Sequence, residues 1–236
     1  MNHWKKIWDS REDHLELLDA TDTKAVFAEL KRVDGFDLEG GLPLSSLLAQ
    51  YEGMKMELGV HEGGTAFEVG CGAGANLYLL AQEGVRVGGL DYSDTLLAIL
   101  KKAIPDRLLI ECVCDEARNL PTEMRYDVVF SNSVFAYFDE KSYARDVLAL
   151  MADKARKRIG VLDVYDEAKK EECLAYRRRS IENYEERYKN LPKMFYSKSF
   201  FRSFAEQHSM KVWFKDNEMK GYGNAPFTYH CYMEHV

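Results

Sequence analysis

Short apolar runs alternate with amphipathic stretches along most of this chain. TAFEV, VRVGGL, LLIECV, YDVVF and RIGVLDV are rich in β-branched and aromatic residues and stand between polar or glycine-containing segments, so each predicts a strand. Between them, residues 75–83, 93–103 and 141–157 carry helical spacing. Ser93 and Asp94 give an N-cap signal, and Pro105 lies just past the end of the second of these helices. Strands alternating with helices predict an α/β fold with a doubly wound, mostly parallel sheet covered on both faces.

Two regions depart from the alternation. Residues 1–60 read as a helical cap or lid, with TKAVFAELKR and LSSLLAQYEGMKMEL as amphipathic helices, and residues 61–236 as the core. After the fifth strand, residues 165–208 form a helical insert. Within it, 167–189 predicts one long charged helix closed by Asn190 and Pro192, and SKSFFRSFAEQH a shorter one. Two further strands, MKVWFKD and PFTYHCYME, flank the glycine-containing NEMKGYGNA and predict a C-terminal antiparallel hairpin. The sum is seven strands in one compact domain.

Composition narrows the function classes. The chain has 236 residues, long enough for one full-sized core, and a net charge of −7, which disfavours a nucleic-acid surface. The basic run Arg177-Arg178-Arg179 stands among glutamates and reads as a solvated helix face. No apolar stretch approaches the ~20 residues of a membrane helix. The opening MNHWKKIWDSREDH lacks an apolar segment behind its lysines, unlike a secretory signal. Five cysteines without a C-x-x-C pair, and scattered histidines, suit a cytoplasmic protein with reduced thiols and no metal site. A monomer or homodimer is expected.

The candidate chemistry lies in FEVGCGAGANL, directly after the first strand. Glycine admits backbone angles closed to other residues, and a helix beginning after such a turn offers free N–H groups to an anionic ligand. Gly70-x-Gly72-x-x-Ala75 also fits the dinucleotide fingerprint, with Asp91 about 20 residues further on. Gly74, which makes the turn G-x-G-x-G, and Glu68, two residues before it begins, favour another cofactor.

Taken in order, EVGCGAG, GLDYS, the acid of CDEA and YDVVFSNSVFAYF resemble the class I S-adenosylmethionine-dependent methyltransferases. The resemblance covers residues 67–164, with a compatible strand pair at the C-terminus, and implies a Rossmann-like fold. It implies that Gly70, Cys71, Gly72, Gly74 and Asn76 close on the methionine part of S-adenosylmethionine, with Glu68 bracing the loop. Asp91 would accept from the ribose hydroxyls, Tyr92 would lie along the adenine, and Asp115, with Glu116 beside it, would reach the adenine amino group. Ser131 and Asn132 would line the floor near the sulfonium. S-adenosylhomocysteine would be the product.

The expected acceptor is an oxygen or nitrogen of a small molecule. Members acting on DNA bases carry Asn/Asp-Pro-Pro-Tyr after the fourth strand, whereas this chain has Asn132-Ser133-Val134-Phe135. Trp4 and Trp8 stand one turn apart with Arg11 on the same face, either a lid over the cofactor or a stripe docked on the core. His230 and Tyr165 are the candidate bases; a strand histidine is as readily structural. Two rival readings stay open: a nicotinamide-dependent oxidoreductase, and a non-catalytic protein that binds the cofactor and acts through protein contacts.

Overall fold

The computed structural model describes residues 3–36, 38, 41–189, 191 and 193–236, without the side chains of His3 and Trp4. Five parallel strands come first: β1 (Thr65–Val69), β2 (Arg86–Asp91), β3 (Leu109–Cys114), β4 (Tyr126–Asn132) and β5 (Ala155–Tyr165). β6 (Met210–Asp216) and β7 (Thr228–His235) pair antiparallel, and β7 inserts between β5 and β6, giving the order β3-β2-β1-β4-β5-β7-β6. The seven-stranded, mostly parallel sheet with its antiparallel hairpin is the architecture expected from the apolar pattern.

Alternate strand residues face opposite layers. Ala66 and Val128 join one core with helices α2 (Thr23–Val33), α3 (Leu44–Leu58), α4 (Ala75–Gln82) and α5 (Asp94–Ala103). Phe67 and Val129 face the other, beneath α6 (Lys141–Lys154) and the phenylalanine-rich α9 (Lys198–Gln207). The helix starts follow the capping rule: Asp22 accepts from Lys24 and Ala25 N–H, Ser93 from Leu96 N–H, and Ser197 from Phe200 N–H. α3 stops at Gly59, which takes the left-handed conformation.

The long charged helix expected over 167–189 is divided. A 3-10 turn (Glu167–Lys169) leads into α7 (Lys170–Ser180), and a short α8 (Tyr184–Arg187) follows. Ile181 is extended and Asn183 left-handed at φ 53°, so neither continues the helix. Arg178 then reaches Glu185 at 2.7 Å across the break. The stops assigned to Asn190 and Pro192 lie outside the described residues. A second difference is at the α6–β5 junction, where the helix ends at Lys154, three residues early. Its ammonium is fully buried against Glu111 and the carbonyls of Pro121 and Met124, which fixes the end there.

The N-terminal helix α1 (His3–Asp9) docks on the start of α5. Ser93 Oγ donates to Asp9 Oδ1 at 2.7 Å, and Lys102 pairs with Asp13 at 2.8 Å. Among the described residues no helix is long and apolar enough to cross a membrane.

Candidate active site

The carboxyl ends of the parallel strands open into a cavity of about 350 Å³. The glycine turn lies along it. Gly70 and Cys71 N–H donate to Leu90 C=O, tying the turn to the end of β2. Gly70, Gly72 and Gly74 have φ of 71°, 55° and 81°, all in the left-handed region. Protein atoms crowd each one: a Cβ at Gly70 would meet Val134, at Gly72 the Asp34 carboxylate, and at Gly74 the Leu100 side chain. The turn is therefore bare for packing as well as for a ligand. Gly74 does not line the cavity, and its bareness lets α4 approach α5.

The acids are held by the backbone. Asp91, buried at the end of β2, accepts from Gly72 N–H and Ser93 N–H, one bond to each oxygen and both 2.9 Å. Burial raises its pKa, and these two bonds oppose the shift. Asp115 is exposed on the cavity rim, and the hydrogen bond from Asn119 lowers its pKa. Tyr92 and Glu116 line the same end. Cys71 lines the cavity too, its thiol pushed up by burial.

Glu68 forms the floor. Its Oε1 accepts from Asn76 Nδ2 at 2.8 Å, while Asn76 Oδ1 accepts from Lys31 Nζ at 3.1 Å. Glu68 Oε2 is buried with no hydrogen-bond partner among the described residues. Burial pushes Glu68 up to about 8 and Asp34 up to about 7, with the Lys31 charge pulling both back. Asp34 Oδ1 accepts from Ala73 N–H at 2.8 Å, so α2 braces the glycine turn from above.

A second cavity of about 680 Å³ adjoins the first, and the two share Trp8, Asp34, Phe36, Ser133 and Tyr137. Trp8 meets Tyr137 edge-on at 6.0 Å, and the Arg11 guanidinium stands 5.5 Å from the Trp8 ring. α1 therefore contributes Trp8 to both cavities and Arg11 to the second. The side chain of Trp4 lies outside the described residues.

Several expected residues have other placements. Ser131 is fully buried off the cavity, its Oγ donating to Val69 C=O at 2.8 Å; Asn132 and Ser133 line the wall instead. His230 lines neither cavity. β5 bulges between Val161 and Val164, Asp163 takes φ 55°, and the Asp163 N–H freed from the ladder donates to His230 Nδ1 at 3.1 Å. Burial lowers the His230 pKa. The bulge turns the Asp163 carboxylate into the second cavity, where it accepts from Ser133 Oγ, Tyr222 OH and Asn217 Nδ2. Tyr165 lines that cavity, with its phenol pushed well up by burial. Arg177, read as part of a solvated face, is 6% exposed and also lines it.

A parallel sheet extended by an antiparallel hairpin, with a glycine turn after β1 and an acid closing β2, defines the class I S-adenosylmethionine-dependent methyltransferase fold. Residues 67–160 match the family model described as a methyltransferase domain. The chain is similar to a magnesium protoporphyrin IX methyltransferase from Synechocystis solved with bound S-adenosylmethionine (TM-score 0.59, 15% identity, 82% of this chain and 81% of that one). It is also similar to a putative S-adenosylmethionine-dependent methyltransferase from Listeria monocytogenes (TM-score 0.60, 13% identity, 81% and 99%). At these identities the likeness is one of fold. In sequence it is 30% identical over 128 residues to a cypemycin N-terminal methyltransferase from Streptomyces, covering 52% of this chain. The chain matches about half the length of that relative, 49%. S-adenosylmethionine is the cofactor of this family, and related structures hold it or its product.

Proposed function

We propose that this protein moves a methyl group from S-adenosylmethionine to an oxygen or nitrogen of a small molecule seated in the second cavity. The observation that carries this reading is the wall shared by the two cavities, which would bring donor and acceptor together across Ser133, Tyr137 and Trp8.

The first cavity fits the cofactor chemically. The unpartnered Glu68 oxygen offers an acceptor for the ligand's ammonium. Each Asp91 oxygen spends one lone pair on the backbone and keeps capacity for ribose hydroxyls. Tyr92, Asp115 and Glu116 line the end suited to the adenine. When bound, the cofactor supplies an electrophilic methyl carbon on an already activated leaving group.

The protein's part is then mainly alignment, which contributes up to ~7–11 kcal/mol when reacting atoms are held in attack geometry. Trp8 and Tyr137 exclude water at the shared wall. Tyr165 stays a neutral phenol and orients the acceptor by hydrogen bonding. Asp163, which lines the acceptor cavity together with Asp34, takes the proton of a hydroxyl or ammonium acceptor through its remaining lone-pair capacity. A peptide amino terminus is the second reading, supported by the partial match to the cypemycin enzyme.

Calorimetry with S-adenosylhomocysteine and with NAD tests the cofactor. Micromolar binding of the first and none of the second is expected; the reverse would return the oxidoreductase reading. Consumption of S-adenosylmethionine against a metabolite pool separates an enzyme from a non-catalytic binder.

A further inference from the structure

The second cavity carries a charge opposite to that of the chain as a whole. The net charge is −7, yet Arg11, Arg177, Arg187 and Lys193 all line this cavity, against the carboxylates of Asp34 and Asp163. Asp163 accepts hydrogen bonds from Ser133, Tyr222 and Asn217, all neutral, so the four cations still outnumber the two acids.

Arg177 is the most telling of the four. It projects from α7 and is 6% exposed. Its Nη1 donates to a neutral group, Asn224 Oδ1, at 3.2 Å, and its guanidinium lies 4.9 Å from the Tyr188 ring. Among the described residues its buried Nε has no hydrogen-bond partner. A buried guanidinium held by neutral groups retains unspent donor capacity, and leaving such a donor unmatched is costly. Its planar fork matches carboxylate and phosphate oxygens.

Lys193 reinforces the point. Its ammonium stands 3.6 Å from the Tyr137 ring centroid, on the wall shared with the first cavity. Burial and the Arg177 charge push its pKa down to about 7, against the pull of Asp163. Positive charge is thus crowded into this space, and a bound anion would relieve the crowding. Tyr137, Tyr165, Tyr188 and Tyr222 make the lining of this cavity strongly aromatic, which suits a planar body.

We propose that the methyl acceptor is a small anionic molecule with a planar body, its carboxylate or phosphate held by Arg177, with Lys193 and the rim residue Arg187 adding field. This rests on the methyltransferase reading above and adds to it the class of acceptor.

Calorimetric titration with benzoate, acetate and inorganic phosphate, with and without saturating S-adenosylhomocysteine, tests it. The expected result is benzoate binding that weakens with ionic strength. Arg177→Gln should reduce it about tenfold or more, with S-adenosylhomocysteine affinity unchanged. Arg187→Gln, at an exposed position, should reduce it about two- to fivefold. Binding of phosphate but not of either carboxylate also supports the anionic class and assigns a phosphate ester. If none of the three anions binds, or binds equally to wild type and Arg177→Gln, the proposal is overturned. If Arg177→Gln does not fold, unchanged affinity in Arg187→Gln overturns it. Failure of S-adenosylhomocysteine to bind sinks the cofactor reading separately, because the anion titrations are also run without it.

Discussion

The first cavity is drawn from the carboxyl ends of adjacent parallel strands, whereas the second is assembled from side chains on α1, β5, α7, α8 and the loop before β7. In the first, backbone N–H groups set the geometry: Asp91 is clamped by Gly72 and Ser93, and the turn is tied to Leu90. In the second, positions depend on the bulge at Asp163 and on helices that follow the fifth strand. A cofactor shared by a whole family suits a site built of main chain, which few substitutions can move. An acceptor that differs from member to member suits a site built of side chains, which single substitutions can reshape.

The largest expected effect falls on the main-chain site. Asp91→Ala removes the acceptor for two backbone donors and for the ribose, each charge-assisted bond contributing roughly 1.5–3 kcal/mol. Affinity for S-adenosylhomocysteine should fall by about two orders of magnitude or more. An unchanged dissociation constant in a folded variant would remove the cofactor assignment and with it the contrast between the cavities.

Next comes the element that spans both. Deleting residues 1–12 removes Trp8 from the shared wall and Arg11 from the second cavity. α1 is tied to the core at its C-terminal end, through Asp9 to Ser93 and Trp8 to Tyr137, and contributes no strand, so the sheet should remain folded by circular dichroism. Cofactor affinity should drop about tenfold and turnover should be lost, as when a lid is removed. Turnover at the full rate would mean that the roof is dispensable and that α1 only packs.

The smallest effect concerns His230, which supports the second cavity from behind. Its folded-state pKa is depressed by burial, so between that value and the ordinary ~6.5 the unfolded chain binds the extra proton. The stability it contributes is present above about 6.5 and is lost as pH falls below it. Protonation also turns Nδ1 from acceptor to donor, facing the Asp163 N–H. His230→Leu should cost about 1–3 kcal/mol at pH 8 and flatten the loss of melting temperature between pH 8 and 5.5. S-adenosylhomocysteine affinity should be unmoved; a large drop in it would show that the two cavities are not energetically separate.

The main-chain site was legible because its parts are local. Strand, glycine turn and helix start occupy one continuous stretch, and Asp91 and Asp115 close the next two strands. The side-chain site was not, because its members meet only in the folded chain. Asp163 meets Tyr222 across 59 positions and Arg177 meets Asn224 across 47, and even in the first cavity Lys31 reaches Asn76 across 45. One signal for Lys31 did exist: it stands four residues after Phe27 and next to Leu30, on the apolar stripe of α2, where a lysine is out of place unless paired. Arg177 gave no such warning. Its arginine neighbours point outward, and only the break after Ser180, which turns Tyr184 and Tyr188 back toward it, buries the first of the three. His230 was singled out for its chemistry, but its contact is with a bulge that the apolar pattern of β5 does not reveal.

The insertion of β7 between β5 and β6 has a consequence for the order of synthesis. Every other strand precedes β7 in the chain, so while the protein emerges β5 presents an unpaired edge of backbone donors and acceptors. The residue that satisfies the bulge in that edge, His230, arrives 67 positions after Asp163. The first five strands are available to pair long before, so a nascent chain would hold the first cavity in outline while the second still lacked its back wall. A chain stalled before residue 228 would expose a long apolar edge, a template for pairing with another copy.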